Sequence, residues 1–291
     1  MFSDHPKGLK VLFYTELWER MSYYGMRGLL VLFMTASIAD GGLNYSNISA
    51  SAIYGIYASS VYLLALPGGW IGDRILGQQK AIFYGGIIIT LGHFILAINF
   101  TSAFFFGLTF VILGTGLLKP NISALVGELY EKKEELKQSG FTLFYMAINI
   151  GSVLGFFICG YLGEKIGWHY GFSAAGFGMA LGIIRYKYSL PILGNVGLKP
   201  NLQITHSERR RDIRLIILSL VIICSILLLG TLQIIQFNPV PLANILTLFI
   251  SSIAILYFFY IFVFGSLDTK EKKKITMIIV LFISSAFFWA G

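Results

Sequence analysis

Residues 9–38 read LKVLFYTELWERMSYYGMRGLLVLFMTASI. The stretch exceeds the roughly 20 residues that a membrane-spanning helix needs. It nevertheless carries Glu16, Glu19, Arg20 and Arg27, with Tyr23 and Tyr24 between them. Counted from Glu16, the offsets to Glu19, Arg20, Tyr23 and Arg27 are three, four, seven and eleven. At helical periodicity those five side chains share one stripe. A charge at the centre of a spanning helix costs about 2.5–3.5 kcal/mol on insertion scales. Several on one stripe are expected to face a protein interior or a water-filled cavity. Glu16 and Arg20 could instead pair locally as i, i+4 partners near the interface. Arg27 lies about 16 Å further along the axis and cannot share that arrangement.

The rest of the chain agrees with a membrane setting. Apolar residues make up 56% of the 291 and charged residues 12%, with a mean hydropathy of +0.75. These values point to a polytopic, all-α membrane protein. Cys159 and Cys224 each sit in an apolar run, where small buried hydrophobes are expected rather than a disulfide. No stretch fits a cleavable signal peptide.

Apolar segments fall at 12–36, 50–72, 80–98, 103–127, 141–162, 170–189, 214–236, 242–265 and 275–291. Eight are long enough to span, and the ninth is shorter. With the N-terminus in the cytoplasm, 18 of the 22 Lys and Arg fall on the cytoplasmic side. Arg20, Arg27 and Lys119 lie inside spans, and Lys165 alone falls outside. A missed helix would invert every later loop, so this bias supports the span count. It also accounts for the net charge of +8 without a nucleic-acid partner. The connection at 190–213 holds Pro191, Gly194, Gly197, Pro200 and the run Glu208-Arg209-Arg210-Arg211-Asp212. It reads as a cytoplasmic linker whose basic cluster anchors to anionic headgroups.

Three further motifs lie in the spans. The second segment ends Pro67-Gly68-Gly69-Trp70-Ile71-Gly72-Asp73-Arg74 before Gly77. Its glycines allow close helix approach, and Asp73 and Arg74 sit at the cytoplasmic mouth, where Asp73 can accept from a neighbouring helix end. The fourth carries Gly114-Thr115-Gly116-Leu117-Leu118-Lys119-Pro120-Asn121. Lys119 has no acid within a turn, so a carboxylate from another helix is expected to meet it, the candidates being Glu16 and Glu19, the substrate, or an acid outside this sequence. Pro120 favours a kink. The fifth contains Phe144-Tyr145 through Asn149 to Gly151-Ser152, and an Asn at that depth commonly bonds another helix. Tyr62 and His93 are weaker signals, the latter expected to be a satisfied core residue.

The 67–77 run resembles the loop between helices two and three of the major facilitator superfamily. Glu16-Leu17-Trp18-Glu19-Arg20-Met21-Ser22-Tyr23-Tyr24-Gly25 resembles the E-x-x-E-R-F-x-Y-Y-G signature of the proton-dependent oligopeptide transporters, with Met21 in place of the usual aromatic. The motifs around Lys119 and Asn149 are similar to that family's fourth- and fifth-helix motifs. The resemblance implies symport of di- and tripeptides with protons and no other cofactor. It assigns proton coupling to Glu16, Glu19 and Arg20. It assigns substrate binding to Tyr23, Tyr24, Arg27, Tyr62, Lys119 and Asn149, and gating or structural roles to Gly69, Asp73, Arg74 and Pro120. Animal members carry a second-helix histidine where Gly55 stands here, so coupling rests on the carboxylates.

The implied organisation is an N-terminal six-helix bundle over 1–190, a basic linker over 191–213, two inserted helices over 214–265, and a cytoplasmic loop with the start of a seventh core helix over 266–291. In that family a glutamate shortly after the tryptophan matching Trp289 partners the lysine matching Lys119. The chain is accordingly expected to be an N-terminal part, multi-pass in the plasma membrane. It would lack transport competence alone unless another chain supplies the second bundle. A carrier for another small solute, or a non-transporting membrane remnant, are the alternative expectations. No nucleophile elbow, phosphate loop or metal-ligand spacing suggests an enzyme.

Overall fold

The computed structural model describes residues 2–265 and 267–290, the side chains of Trp289 and Ala290 excepted. Trp289 and Gly291, which figured in the seventh-helix expectation, therefore lie outside the described side chains. The elements are α1 (Lys7–Thr35), α2 (Asn47–Ile71), α3 (Gln78–Leu96), α4 (Thr101–Glu128), α5 (Lys137–Tyr161), α6 (Trp168–Leu193), α7 (His206–Thr231), α8 (Pro239–Phe264) and α9 (Thr269–Ala290). One compact unit runs to Pro239 and a second begins at Val240. In the second, the rings of Phe258 and Phe282 meet edge-on at 6.1 Å and join α8 to α9.

Six helical stretches are long and apolar enough to cross a membrane by composition. Besides α9, the segments of α1 and α6 are not among them. Charges dilute the first, and Gly, Tyr, Arg185 and Lys187 dilute the second. Both are nevertheless longer than a span requires. The helices also run past their apolar edges. α7 starts at His206, well before the apolar segment at 214, because Thr205 and Glu208 form a reciprocal capping box that satisfies otherwise orphan amides.

In the first unit, α1 packs along α5 and α6, α4 packs along α2 and α3, and α3 meets α6. Exchanging helices one to three with four to six leaves this pattern unchanged. The chain echoes it. Both α2 and α5 end in a wide π-turn, Gly72–Leu76 and Leu162–Ile166, each closed by an amide-to-carbonyl bond of 2.9 Å. The runs are Gly72-Asp73-Arg74-Ile75-Leu76-Gly77 and Gly163-Glu164-Lys165-Ile166-Gly167. Three crossings per set place the second set upside down relative to the first, an inverted repeat. Only the first run had been noticed in the sequence, because the second is one residue shorter and its charges differ in type.

Small residues set the spacing. On α5, Gly151 meets Leu17 O and Arg20 Cβ, Gly155 meets Gly25, and Cys159 meets Gly25, so this small-residue stripe brings α5 backbone onto α1. On α2, a Cβ at Gly68 would strike the Gly116 carbonyl of α4. Cys159 is buried as expected, whereas Cys224 is exposed, since α7 buries only Asp212 among its residues.

Gly68→Val should cost about 1–3 kcal/mol through overpacking and lower the thermal midpoint of the detergent-solubilised chain. Gly55→Ala, with open space around it, should leave the midpoint unchanged or slightly raised. Equal midpoints would mean that α2 and α4 are not in backbone contact.

Candidate functional site

The acidic and basic stripe of α1 is buried where α1 crosses α5. Arg20 Nε lies 3.0 Å from Glu16 Oε1 and 2.5 Å from Glu19 Oε2, all three side chains no more than 4% exposed. Charge attraction joins these groups more than directed hydrogen bonding does. Both Glu19 oxygens, Glu16 Oε2 and Arg20 Nε and Nη2 have no well-directed hydrogen bond among the described residues. The i, i+4 pairing of Glu16 with Arg20 thus occurs deep inside the bundle and not at an interface.

Aromatic side chains enclose the cluster. The Arg20 guanidinium stands 5.1 Å from the Tyr23 ring centroid. Tyr23 meets Tyr24 edge-on at 5.3 Å and stacks on Tyr57 of α2 at 6.4 Å. One turn along α2, the Tyr54 hydroxyl accepts a hydrogen bond from Arg27 Nε. Tyr24 leans on Phe156 of α5. Tyr54 and Tyr57 had not been singled out in the sequence. Their signal was aromatic hydroxyls three residues apart within an apolar helix.

Lys119 pairs with neither Glu16 nor Glu19. No carboxylate pairs with it among the described residues. Its ammonium instead sits 4.3 Å from the centroid of the Tyr62 ring, a cation–π contact, while remaining near enough to Glu16 for their charges to interact. Asn149 makes no helix–helix bond: its amide donates to Tyr145 O of its own helix at 3.2 Å, and the residue is exposed. His93 is fully buried, but neither ring nitrogen has a partner, so it is a core residue without being satisfied. The structure thus brings Glu16, Glu19, Arg20, Tyr23, Tyr24, Arg27, Tyr62 and Lys119 onto facing parts of α1, α2 and α4, and leaves Asn149 on an open face of α5.

The four gating candidates cluster at one end of the bundle. Gly69 faces Pro120, through which α4 runs as one continuous helix. Beside them, Asn121 Nδ2 donates to Gly68 O at 3.0 Å and to Leu117 O at 2.7 Å, tying α2 to α4. Arg74 Nε lies 3.0 Å from Asp212 Oδ2 of α7. Asp73 accepts from the linker and not from a helix end, through its backbone carbonyl to Leu202 N at 2.9 Å and more weakly through Oδ1 to Asn201 at 3.5 Å. Gln78 donates to Glu128 at 2.5 Å, Asn201 donates to the same carboxylate at 3.0 Å, and Gln79 caps Gly194 O and Val196 O. Asp212, fully buried, was read as part of a surface-anchoring cluster. It instead neutralises Arg74, because the capped α7 turns that acid inward. Nearby, His5 Nδ1 meets the Tyr130 hydroxyl at 2.6 Å, and burial pushes that phenol up to about 12.

Residues 79–291 match the model of the POT family, which covers the fourth- and fifth-helix motifs but not the α1 stripe. The whole chain aligns with the peptide transporter YePEPT of Yersinia enterocolitica at 39% identity, covering 100% of this chain and 58% of that protein. A di-/tripeptide transporter of Lactococcus lactis subsp. cremoris is 40% identical, over 99% of this chain and 59% of its own. Among solved structures, a peptide transporter POT in complex with sulfate superposes with a TM-score of 0.88 at 36% identity, over 100% of this chain and 59% of that one. A POT family transporter in complex with 5-aminolevulinic acid gives 0.89 at 33%, over 99% and 60%. The chain thus spans about three-fifths of the length of these relatives.

Arg20→Met should destabilise the folded chain by about 3–5 kcal/mol, since two buried carboxylates lose their cation. Adding Glu16→Gln and Glu19→Gln should recover most of the loss in thermal unfolding. An Arg20→Met protein as stable as the unsubstituted one would show that the ion pairs do not hold α1 in place.

Proposed function

The chain belongs to the POT family, and we propose that it carries the proton-coupling acids and one wall of the substrate cavity of a di-/tripeptide symporter. The observation that carries this reading is the charge count of the buried cluster. Two carboxylates face one guanidinium, so an excess negative charge sits where water is scarce and uncompensated charge is costly. A proton, the nearby Lys119, or the ammonium of a bound peptide can each balance it. Proton and substrate are thereby linked through one electrostatic requirement. When Arg20 or Lys119 turns to a substrate carboxylate, an acid of the pair takes up a proton; when the cation returns, the proton leaves.

The substrate wall follows from charge and shape. Arg27 and Lys119 offer two cations that no carboxylate neutralises among the described residues. Tyr23, Tyr24 and Tyr62 add flat surfaces and hydroxyls. A zwitterionic backbone with variable side chains suits such a wall: fixed charges hold its ends, and aromatic surface tolerates what hangs between. Asn149, open on α5, is proposed to join them on binding. The chain is a carrier and not an enzyme, and the proton is its coupling ion without a further cofactor.

Several structural assignments belong to the same proposal. Residues 1–190 form the N-terminal bundle, 191–213 the basic linker, 214–265 the inserted pair and 266–291 the approach to a seventh core helix. The N-terminus is cytoplasmic and the membrane is the plasma membrane. Gly69, Asp73, Arg74 and Pro120 stabilise one end of the bundle as access alternates. Transport needs a second bundle, on this chain or on a separate one, to close the cavity.

A chimera tests the function: residues 1–291 joined to the remaining length of the Lactococcus lactis transporter, reconstituted in liposomes with an imposed proton gradient. Labelled dialanine should be concentrated, and Glu19→Gln should abolish that concentration while exchange of labelled for unlabelled peptide persists. Undiminished concentrative uptake by Glu19→Gln would refute the coupling role, and uptake of nitrate in place of peptide would refute the substrate. Orientation is tested in right-side-out vesicles of a Cys224→Ser background. A cysteine at Lys165 should react with an impermeant maleimide, and one at Lys199 should react only after permeabilisation. The reverse pattern would invert the topology.

A further inference from the structure

A cavity of about 500 Å³ opens between the N-terminal end of α1 and the C-terminal end of α6, lined by Phe2, Pro6, Lys7, Lys10, Val11, Arg185, Ser189 and Ile192. It lies outside the central cluster. Three of its lining residues are cationic and none is acidic. Lys7, Lys10 and Arg185 enter no ion pair among the described residues. Three exposed cations from two helices around one hollow give it a positive potential that favours an anion.

The geometry also specifies what kind. The Arg185 guanidinium stacks 3.7 Å from the centroid of the Tyr14 ring. That stacking holds the planar fork by its face and leaves its N–H edge for a partner, the arrangement that suits bidentate contact with a phosphate. Lys7 and Lys10 stand one turn apart on α1, so both ammonium groups can approach one phosphoryl group, and the Ser189 hydroxyl adds a neutral donor. Pro6 precedes α1 without a side-chain cap and Leu9 N bonds back to Pro6 O at 2.9 Å, which leaves the Lys7 and Gly8 amides at that end. The remaining wall, Phe2, Val11 and Ile192, is apolar, and Phe2 is fixed by an edge-on contact with Phe13 at 5.3 Å. The His5–Tyr130 bond pins the segment that forms this wall.

We propose that this cavity binds a phosphate-bearing anion, with Lys7, Lys10 and Arg185 as its ligands and a phospholipid headgroup as its occupant. A basic hollow bordered by apolar surface at a helix end matches the chemistry of a headgroup whose glycerol and acyl parts continue into the bilayer. A free phosphate ester shares the charged part of that chemistry and has no use for the apolar wall. The site is independent of the proposed transport reaction, since none of its residues touches the central cluster.

The test uses the purified full chain in detergent and native mass spectrometry with phosphatidylglycerol, phosphatidylcholine of the same acyl chains, and inorganic phosphate as competitor. Phosphatidylglycerol should be retained in preference to phosphatidylcholine. The triple substitution Lys7→Gln, Lys10→Gln and Arg185→Gln should weaken retention on the order of 100-fold, at roughly a factor of five per cation. Lys10→Glu alone, at an exposed position, should weaken it at least tenfold, and Lys7→Arg with Lys10→Arg should preserve it. Arg209→Gln, Arg210→Gln and Arg211→Gln together, in the linker whose contact with headgroups is general, should weaken it far less. Lipid binding that millimolar phosphate fails to displace assigns the site to headgroups, and displacement assigns it to free phosphate. Equal retention by the triple variant, or equal loss in the linker variant, would overturn the site.

Discussion

Everything in the first compact unit is arranged around one unfavourable fact: Glu16, Glu19 and Arg20 are ionisable and almost completely buried. In a low-dielectric interior such groups are tolerated only when paired and enclosed. α1 therefore cannot face lipid on this stripe, and it takes the inner position against α5 and α6. The glycines of α5 bring backbone onto the turn that carries Arg20, and the tyrosines of α2 close the other side. The cluster is held by enclosure more than by directed bonds, since most of its buried polar atoms have no aligned partner. A site left in that condition is ready to change partners.

The same logic explains what could be read from one dimension. A stripe of charges in an apolar run specifies which face of α1 is inward, and that face is where the structure has it. Span count and helix order likewise follow from apolar length and loop charge. Partners do not follow. Lys119 is expected to meet an acid because an unpaired lysine at that depth is costly; among the described residues it meets the Tyr62 ring, and an acid from the substrate or from outside this sequence stays open. Asn149 satisfies itself within its own turn, which a sequence pattern cannot distinguish from a bond to a neighbour. Asp212 looked like one charge in a solvated run, and only the capping box that starts α7 early turns it inward onto Arg74. Cys224 sits in an apolar run as Cys159 does, but apolarity in a membrane chain reports lipid contact as readily as burial.

The inverted repeat connects the two functional regions. The turn that ends α2 is the half of the repeat that received the linker, through Asp73, Arg74, Gln78 and Gln79; after its counterpart at Leu162–Ile166, Trp168 donates to Asp40 O and His169 meets Ala97 O, each at 2.9 Å. The α2–α3 end is thus tied simultaneously to α4, the linker and α7. The tyrosines that face Arg20 and Arg27 lie on the same α2. A shift of that helix would disturb both ends together.

The central claim is that the surplus charge of the buried pair is balanced by an exchangeable proton. Infrared difference spectroscopy on membranes containing the chain, comparing acidic with neutral buffer, addresses it directly. A protonated-carboxyl band that disappears when Glu16 and Glu19 are both replaced by Gln is the predicted result. A difference spectrum in which every carboxyl band survives that double replacement would contradict the account.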